Sequence, residues 1–148
     1  MARIGILSTG SWAIGIASVL LENGHRVIMW GREEKEVSAL KATGINPGFL
    51  NGFQLVGDVS FTTDMGEAIA DVDFLVNAIP TQGIRNAIID QGTPKIKRET
   101  VIVNVAKGIE IGSQARIEEI FGDLYPENVY TVLDRKSTRL NSSHGIIS

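Results

Sequence analysis

Short apolar runs alternate with stretches of helical period along most of this chain. Ile4-Gly5-Ile6-Leu7 reads as a buried strand, and residues 11–23 read as a helix closed by Gly24, which tolerates positive φ. Residues 26–30 predict a second strand and 33–43 a second helix. Residues 44–58, rich in Gly, Asn and Pro, read as a loop. A short strand at 61–63 precedes a helix over 65–70, with Thr63 or Asp64 as its N-cap. A strand at 74–77, running on to Ile79-Pro80, leads to a helix at 81–91. A strand at 101–105, a helix at 113–121 and a strand at 129–133 complete the pattern. Continuous apolar strands separated by helices predict an α/β fold, a doubly wound Rossmann-like parallel sheet with helices on both faces.

Composition narrows the possible chemistry. At 148 residues the chain can bury one real core. With 43% hydrophobic and 21% charged residues, it has a globular rather than a disordered balance. It has no cysteine, which excludes disulfides and thiolate metal sites, and its two histidines lack ligand spacing. No apolar run approaches the roughly 20 residues that cross a bilayer, and the N-terminus lacks the features of a secretory signal. A cytoplasmic domain without membrane insertion is the expectation. The formal charge is −3, and residues 134–148 hold Arg135, Lys136 and Arg139 against Asp134, so the rest is more acidic still. Nucleic acid is therefore not an expected partner, and any phosphate must be held by local geometry.

The last segment departs from the pattern. Residues 134–148 are polar, aperiodic and follow a strand with no turn signal. Their wording looks like the conceptual translation of a sequencing adapter. The expected organisation is a nucleotide-binding domain over 1–133 and a non-native tail over 134–148, a natural polar tail being the other reading.

Ser8-Thr9-Gly10-Ser11-Trp12-Ala13 lies between the first strand and the first helix, where dinucleotide-binding folds place their G-x-G-x-x-G/A turn. A helix N-terminus offers unpaired N–H groups and the positive end of the helix dipole to a pyrophosphate. Gly10 supplies the second glycine, and Ala13 the small residue where helix and strand pack. Ser8 stands where the first glycine is usual. If the turn needs positive φ there, serine costs on the order of 1 kcal/mol. An ordinary strand-to-helix turn without a ligand is the plainer alternative. After the second strand, Arg32 could pair with the 2′-phosphate of NADP, and Glu33 could accept from the ribose hydroxyls of NAD. Arg32 could equally be a solvated surface cation.

Ser11-Trp12, Trp30-Gly31-Arg32 and Val105-Ala106-Lys107-Gly108-Ile109-Glu110 form a set. Together they resemble the bacterial NAD(P)-dependent glycerol-3-phosphate dehydrogenases, with Asn46-Pro47, Thr62-Thr63-Asp64 and Ile79-Pro80-Thr81-Gln82 in support. The resemblance runs over 1–133. It implies reversible reduction of dihydroxyacetone phosphate to sn-glycerol 3-phosphate with NAD or NADP, feeding glycerophospholipid synthesis. It also implies that Ser11, Trp12 and Arg32 contact the cofactor, and that Lys107 lies where nicotinamide and substrate meet. A lysine there suits an anionic substrate and a developing oxyanion.

The family pattern continues into a Gly-Pro-Ser-Phe-like segment and a helical domain holding the acid/base lysine. Here Leu133 is followed by Asp134-Arg135-Lys136, so no catalytic residue is assigned. The chain is expected to bind dinucleotide and turn over negligibly, with a homodimer left open for the full-length enzyme. Pro80 reads as a strand terminator, Trp30 as core, His25 as a solvent-facing turn residue, and Glu33-Glu34-Lys35-Glu36 as an exposed first turn. Another hydroxyacyl or hydroxy-acid dehydrogenase, or a non-catalytic dinucleotide-binding module, are the competing readings.

Overall fold

The computed structural model describes residues 1–48, 54–106 and 116–133. Strands and helices alternate in the order β1 (Arg3–Leu7), α1 (Ser11–Glu22), β2 (Arg26–Trp30), α2 (Glu34–Thr43), β3 (Val59–Thr62), α3 (Met65–Ile69), β4 (Phe74–Asn77), α4 (Thr81–Asp90), β5 (Val101–Asn104), α5 (Ile117–Leu124) and β6 (Tyr130–Val132). The six strands make one sheet in the order β3-β2-β1-β4-β5-β6, and every neighbouring pair is parallel. This is the doubly wound Rossmann order that the apolar runs predict. The chain winds outward from β1 to β3, returns to β4, and winds outward the other way. The loops after β1 and β4 therefore diverge to opposite faces and leave a crevice between them.

Each strand sends alternate side chains to opposite faces. On one face Ile4, Ile6, Val27 and Met29 pack with Ala13, Ile14, Ala17 and Leu21 of α1 and with Val37 and Leu40 of α2. On the other, Leu7, Leu75 and Ile102 pack under residues of α3, α4 and α5, among them Ala68, Ile84, Ile88, Ile120 and Phe121. Gly5 makes the second face possible at its narrowest point, because a Cβ there would collide with the carbonyl oxygen of Ala68 on α3. Helix ends follow local chemistry. Gly24 takes a φ of 84° just after α1, as its position predicts, and Gly44 closes α2 at a φ of 75°. Asp64 caps α3, its Oδ1 accepting the Gly66 N–H at 3.0 Å.

Three expectations are corrected. β3 begins at Val59 rather than residue 61, drawn into the sheet by pairing with Val27 of β2. The last helix runs from Ile117 to Leu124 rather than ending at residue 121, and the Glu119 carboxylate accepts the Arg116 N–H at 2.9 Å before it; residues 113–115 lie outside the described residues. His25 does not simply face solvent. It is half-buried, and its Nδ1 accepts the Ala2 N–H at 3.0 Å, tying the turn after α1 to the start of the chain. The tail at 134–148 lies outside the described residues.

Candidate functional site

A cleft of about 530 Å³ opens at the C-terminal ends of β1, β2 and β4. Its walls are Ser8, Thr9 and Gly10 after β1, then Trp30, Gly31, Arg32 and Glu33 after β2 with Glu36 of α2. Ile79 and Pro80 after β4, with Gln82, Gly83 and Ala87 of α4, close the far side. Ligands of open α/β sheets gather where the strand order reverses.

The turn after β1 puts a helix N-terminus on this cleft. The first helical bond of α1 runs from Ile14 N–H to Gly10 O at 2.9 Å, so the N–H groups of Ser11, Trp12 and Ala13 come before the ladder begins. Gly10 is the N-cap in an extended conformation, with φ −73° and ψ 176°. Among the described residues, chain neighbours aside, a Cβ added to Gly10 would meet only the Ser8 hydroxyl, at 3.3 Å, so the missing side chain leaves space in front of the turn. Ala13 is fully buried under the sheet, as a small residue at its position should be. Ser11 is exposed at the helix start. Trp12 is 53% exposed, and its indole N–H donates to the Val105 carbonyl at 3.3 Å, joining the start of α1 to the end of β5.

Ser8 does not carry the strain that a positive φ would bring. Among the described residues Thr93 is the only non-glycine residue with positive φ. The Ser8 hydroxyl instead accepts the Gly10 N–H at 2.9 Å. Thr9 is braced from a distance. Its hydroxyl donates to Glu36 Oε1 at 3.0 Å, while Asn46 Nδ2 donates to the Thr9 carbonyl at 2.8 Å and to the same Glu36 oxygen at 3.2 Å. Glu36 is thus a half-buried cleft residue, not part of an exposed first turn. Arg32 and Glu33 are both exposed on the cleft rim. Trp30 is core, 4% exposed, with its N–H donating to the Thr63 carbonyl at 2.9 Å. Pro80 ends the β4 connection, precedes α4 and lines the cleft.

Beneath the cleft, β4 and β5 end side by side in Asn77 and Asn104, paired in register and both buried. Asn77 Nδ2 donates to Asn104 Oδ1 at 2.9 Å and to the Ile79 carbonyl at 3.2 Å, and Asn77 Oδ1 accepts the Ile79 N–H at 3.1 Å. Asn104 repeats the motif with Ala106, donating to its carbonyl at 2.8 Å and accepting its N–H at 3.1 Å. One amide ladder therefore shapes the loops that follow both strands. Sequence reading missed it, and the signal available was an asparagine closing each of two apolar runs. Lys107, which follows Ala106 in the sequence, lies outside the described residues.

Gly10, Ala13 and Arg32 are thus brought to one cleft or its supporting wall, with Ser11 and Trp12 at its helix start. No group of three or more His, Cys, Asp or Glu able to hold a metal occurs among the described residues.

Comparison with known proteins points the same way. Residues 3–134 match the model of the NAD-dependent glycerol-3-phosphate dehydrogenase N-terminus. The chain belongs to this family. It is 38% identical over 122 residues to the glycerol-3-phosphate dehydrogenase (NAD(P)+) of Streptomyces coelicolor, covering 82% of this chain and 36% of that protein. The enzyme of the same name from Carboxydothermus hydrogenoformans is 31% identical over 146 residues, covering 97% of this chain and 43% of the relative. A crystal structure of glycerol-3-phosphate dehydrogenase from Coxiella burnetii superposes with a TM-score of 0.73 at 25% identity, covering 82% of this chain and 37% of that one. The chain thus spans well under half the length of these relatives and corresponds to their N-terminal part. The matched span includes the cleft residues and Lys107.

Proposed function

We propose that this chain is the dinucleotide-binding part of an enzyme that interconverts sn-glycerol 3-phosphate and dihydroxyacetone phosphate with NAD or NADP, supplying glycerophospholipid synthesis. The observation that carries this reading is the cleft at the strand-order reversal, with the N-terminus of α1 opening into it. The residues present fit a dinucleotide. The N–H groups of Ser11, Trp12 and Ala13 and the open space before Gly10 suit a diphosphate. Arg32 and Glu33 offer a cation for a 2′-phosphate and an acceptor for ribose hydroxyls, so both cofactors are retained. When bound, the nicotinamide would supply the hydride for reduction and accept it in the reverse direction.

Ala13 holds α1 against the sheet, and the Asn77–Asn104 ladder holds the backbone at Ile79, just before Pro80, and at Ala106. Lys107 is assigned to the meeting point of nicotinamide and substrate, where its ammonium orients an anionic substrate and stabilises the carbonyl oxygen. The acid/base lysine is assigned to a helical domain of the family outside the part matched here. The full-length enzyme is assigned to the cytoplasm, where the homodimer is its simplest assembly. Residues 134–148 are assigned as non-native sequence on their wording; the family model ends at residue 134, while the alignment with the Carboxydothermus hydrogenoformans relative runs past it.

Calorimetric titration of the 148-residue chain with NADH and NADPH tests the reading. Saturable one-to-one binding that weakens several-fold in Arg32→Ala for NADPH supports it. Absence of binding at millimolar dinucleotide rejects it.

A further inference from the structure

The position that departs from the usual glycine pattern is the one whose side chain faces the space left for phosphate. Ser8 lines the cleft, and among the described residues, chain neighbours aside, its Oγ is the one heavy atom within 4 Å of a Cβ placed on Gly10. That oxygen accepts the Gly10 N–H at 2.9 Å, which occupies a lone pair and leaves the hydroxyl proton to be donated. Among the described residues no acceptor takes that proton. An N–H donated to a hydroxyl polarises it and makes its own O–H the stronger donor. The turn around it is also held still. Thr9 is fixed at its hydroxyl by Glu36 and at its carbonyl by Asn46, so Ser8 sits on a braced backbone in an unstrained conformation.

We propose that the Ser8 hydroxyl is a cofactor-binding residue of this chain, relaying the Gly10 N–H to the diphosphate of the dinucleotide. In a turn with glycine at this position the backbone N–H would face the anion itself. Here the relay runs from Gly10 N–H to Ser8 Oγ, and from Ser8 O–H to a phosphate oxygen. A hydrogen bond from a neutral donor to an ionised acceptor belongs to the stronger class. The inference rests on the dinucleotide reading of the cleft and adds a side chain to it.

The test is titration of the 148-residue chain and its Ser8→Ala variant with NADH and ADP by calorimetry, and with adenosine by NMR. Alanine adopts the Ser8 backbone conformation without penalty, so the melting temperature serves as a folding control. The expected result is a Kd for both NADH and ADP raised about tenfold, with adenosine unchanged. Ser8→Cys, which keeps a weak donor of similar shape, should fall between the two. If Ser8→Ala does not fold, a several-fold loss confined to NADH and ADP in Ser8→Cys carries the same meaning. Equal or tighter NADH binding by Ser8→Ala overturns the proposal, since the hydroxyl is then idle or competing for the Gly10 N–H. An equal loss for adenosine also overturns it, since the turn as a whole has then moved. A wild-type chain that binds none of the three removes the dinucleotide reading itself, and this proposal with it.

Discussion

The two faces of the sheet are built from the same strands and end up very differently covered. Leu75 and Ile102 point to the face of α3, α4 and α5 and are fully buried. Phe74 and Leu133, on the opposite side of the same half of the sheet, are 39% and 56% exposed, and Val103 is half-buried. They border a shallow apolar depression with Ala2, Ile4, Val76 and, from α1, Ile16 and Leu20. Chain direction explains the difference. Right-handed crossovers place α1 and α2 on one face while the chain winds from β1 to β3, and place the later helices on the other face as it winds from β3 to β6. On the first face α1 and α2 pack chiefly against β1, β2 and β3, leaving the β4–β6 half without a helical layer among the described residues. Burial here belongs to the layer above a strand rather than to the strand's own apolarity.

The comparison can be broken most severely on the covered face. Phe121→Ala, at a residue 1% exposed, should cost about 3–5 kcal/mol of stability in a urea titration. A loss below about 1 kcal/mol would mean that α5 is not packed as described. Gly5→Ala drives a methyl group into the Ala68 carbonyl and should cost about 2–3 kcal/mol, read from the same titration.

Alkaline pH probes the covered face more gently. Burial pushes the Tyr125 hydroxyl, which donates to the Pro94 carbonyl, up to about 12. Its unfolded value is about 10, so the unfolded chain ionises first. This contribution to stability is constant below pH 10 and falls as the pH rises from 10 to 12. Tyr125→Phe should flatten that part of the pH–stability curve. The smallest effect belongs to the open face. Phe74→Ser should change stability by less than about 1 kcal/mol. Its measurable consequence should be reduced self-association at high concentration, seen by light scattering.

Most of the fold was legible because the strands are apolar on both faces and each helix is bounded by a cap or a glycine. Boundaries slipped where long-range pairing decided them, as when β2 drew Val59 into β3. At the candidate site, Gly10, Ala13 and Arg32 could be placed from the strand-turn-helix pattern alone. Glu36 could not. Its acids-first helix looks solvated in sequence, and only Thr9 and Asn46, brought in from separate loops, turn it toward the cleft. His25 was misread for the same reason, because its partner Ala2 is 23 residues away. Ser8 looked like a departure because its effect was judged by backbone conformation, whereas its hydroxyl accepts the Gly10 N–H.

The amide ladder beneath the cleft has a consequence for how such a sequence can drift. Asn77 and Asn104 share a hydrogen bond where both are buried, so replacing either one removes that bond together with the contacts it makes to the backbone of Ile79 or Ala106. The two positions, 27 residues apart in the chain, should therefore be inherited as a unit.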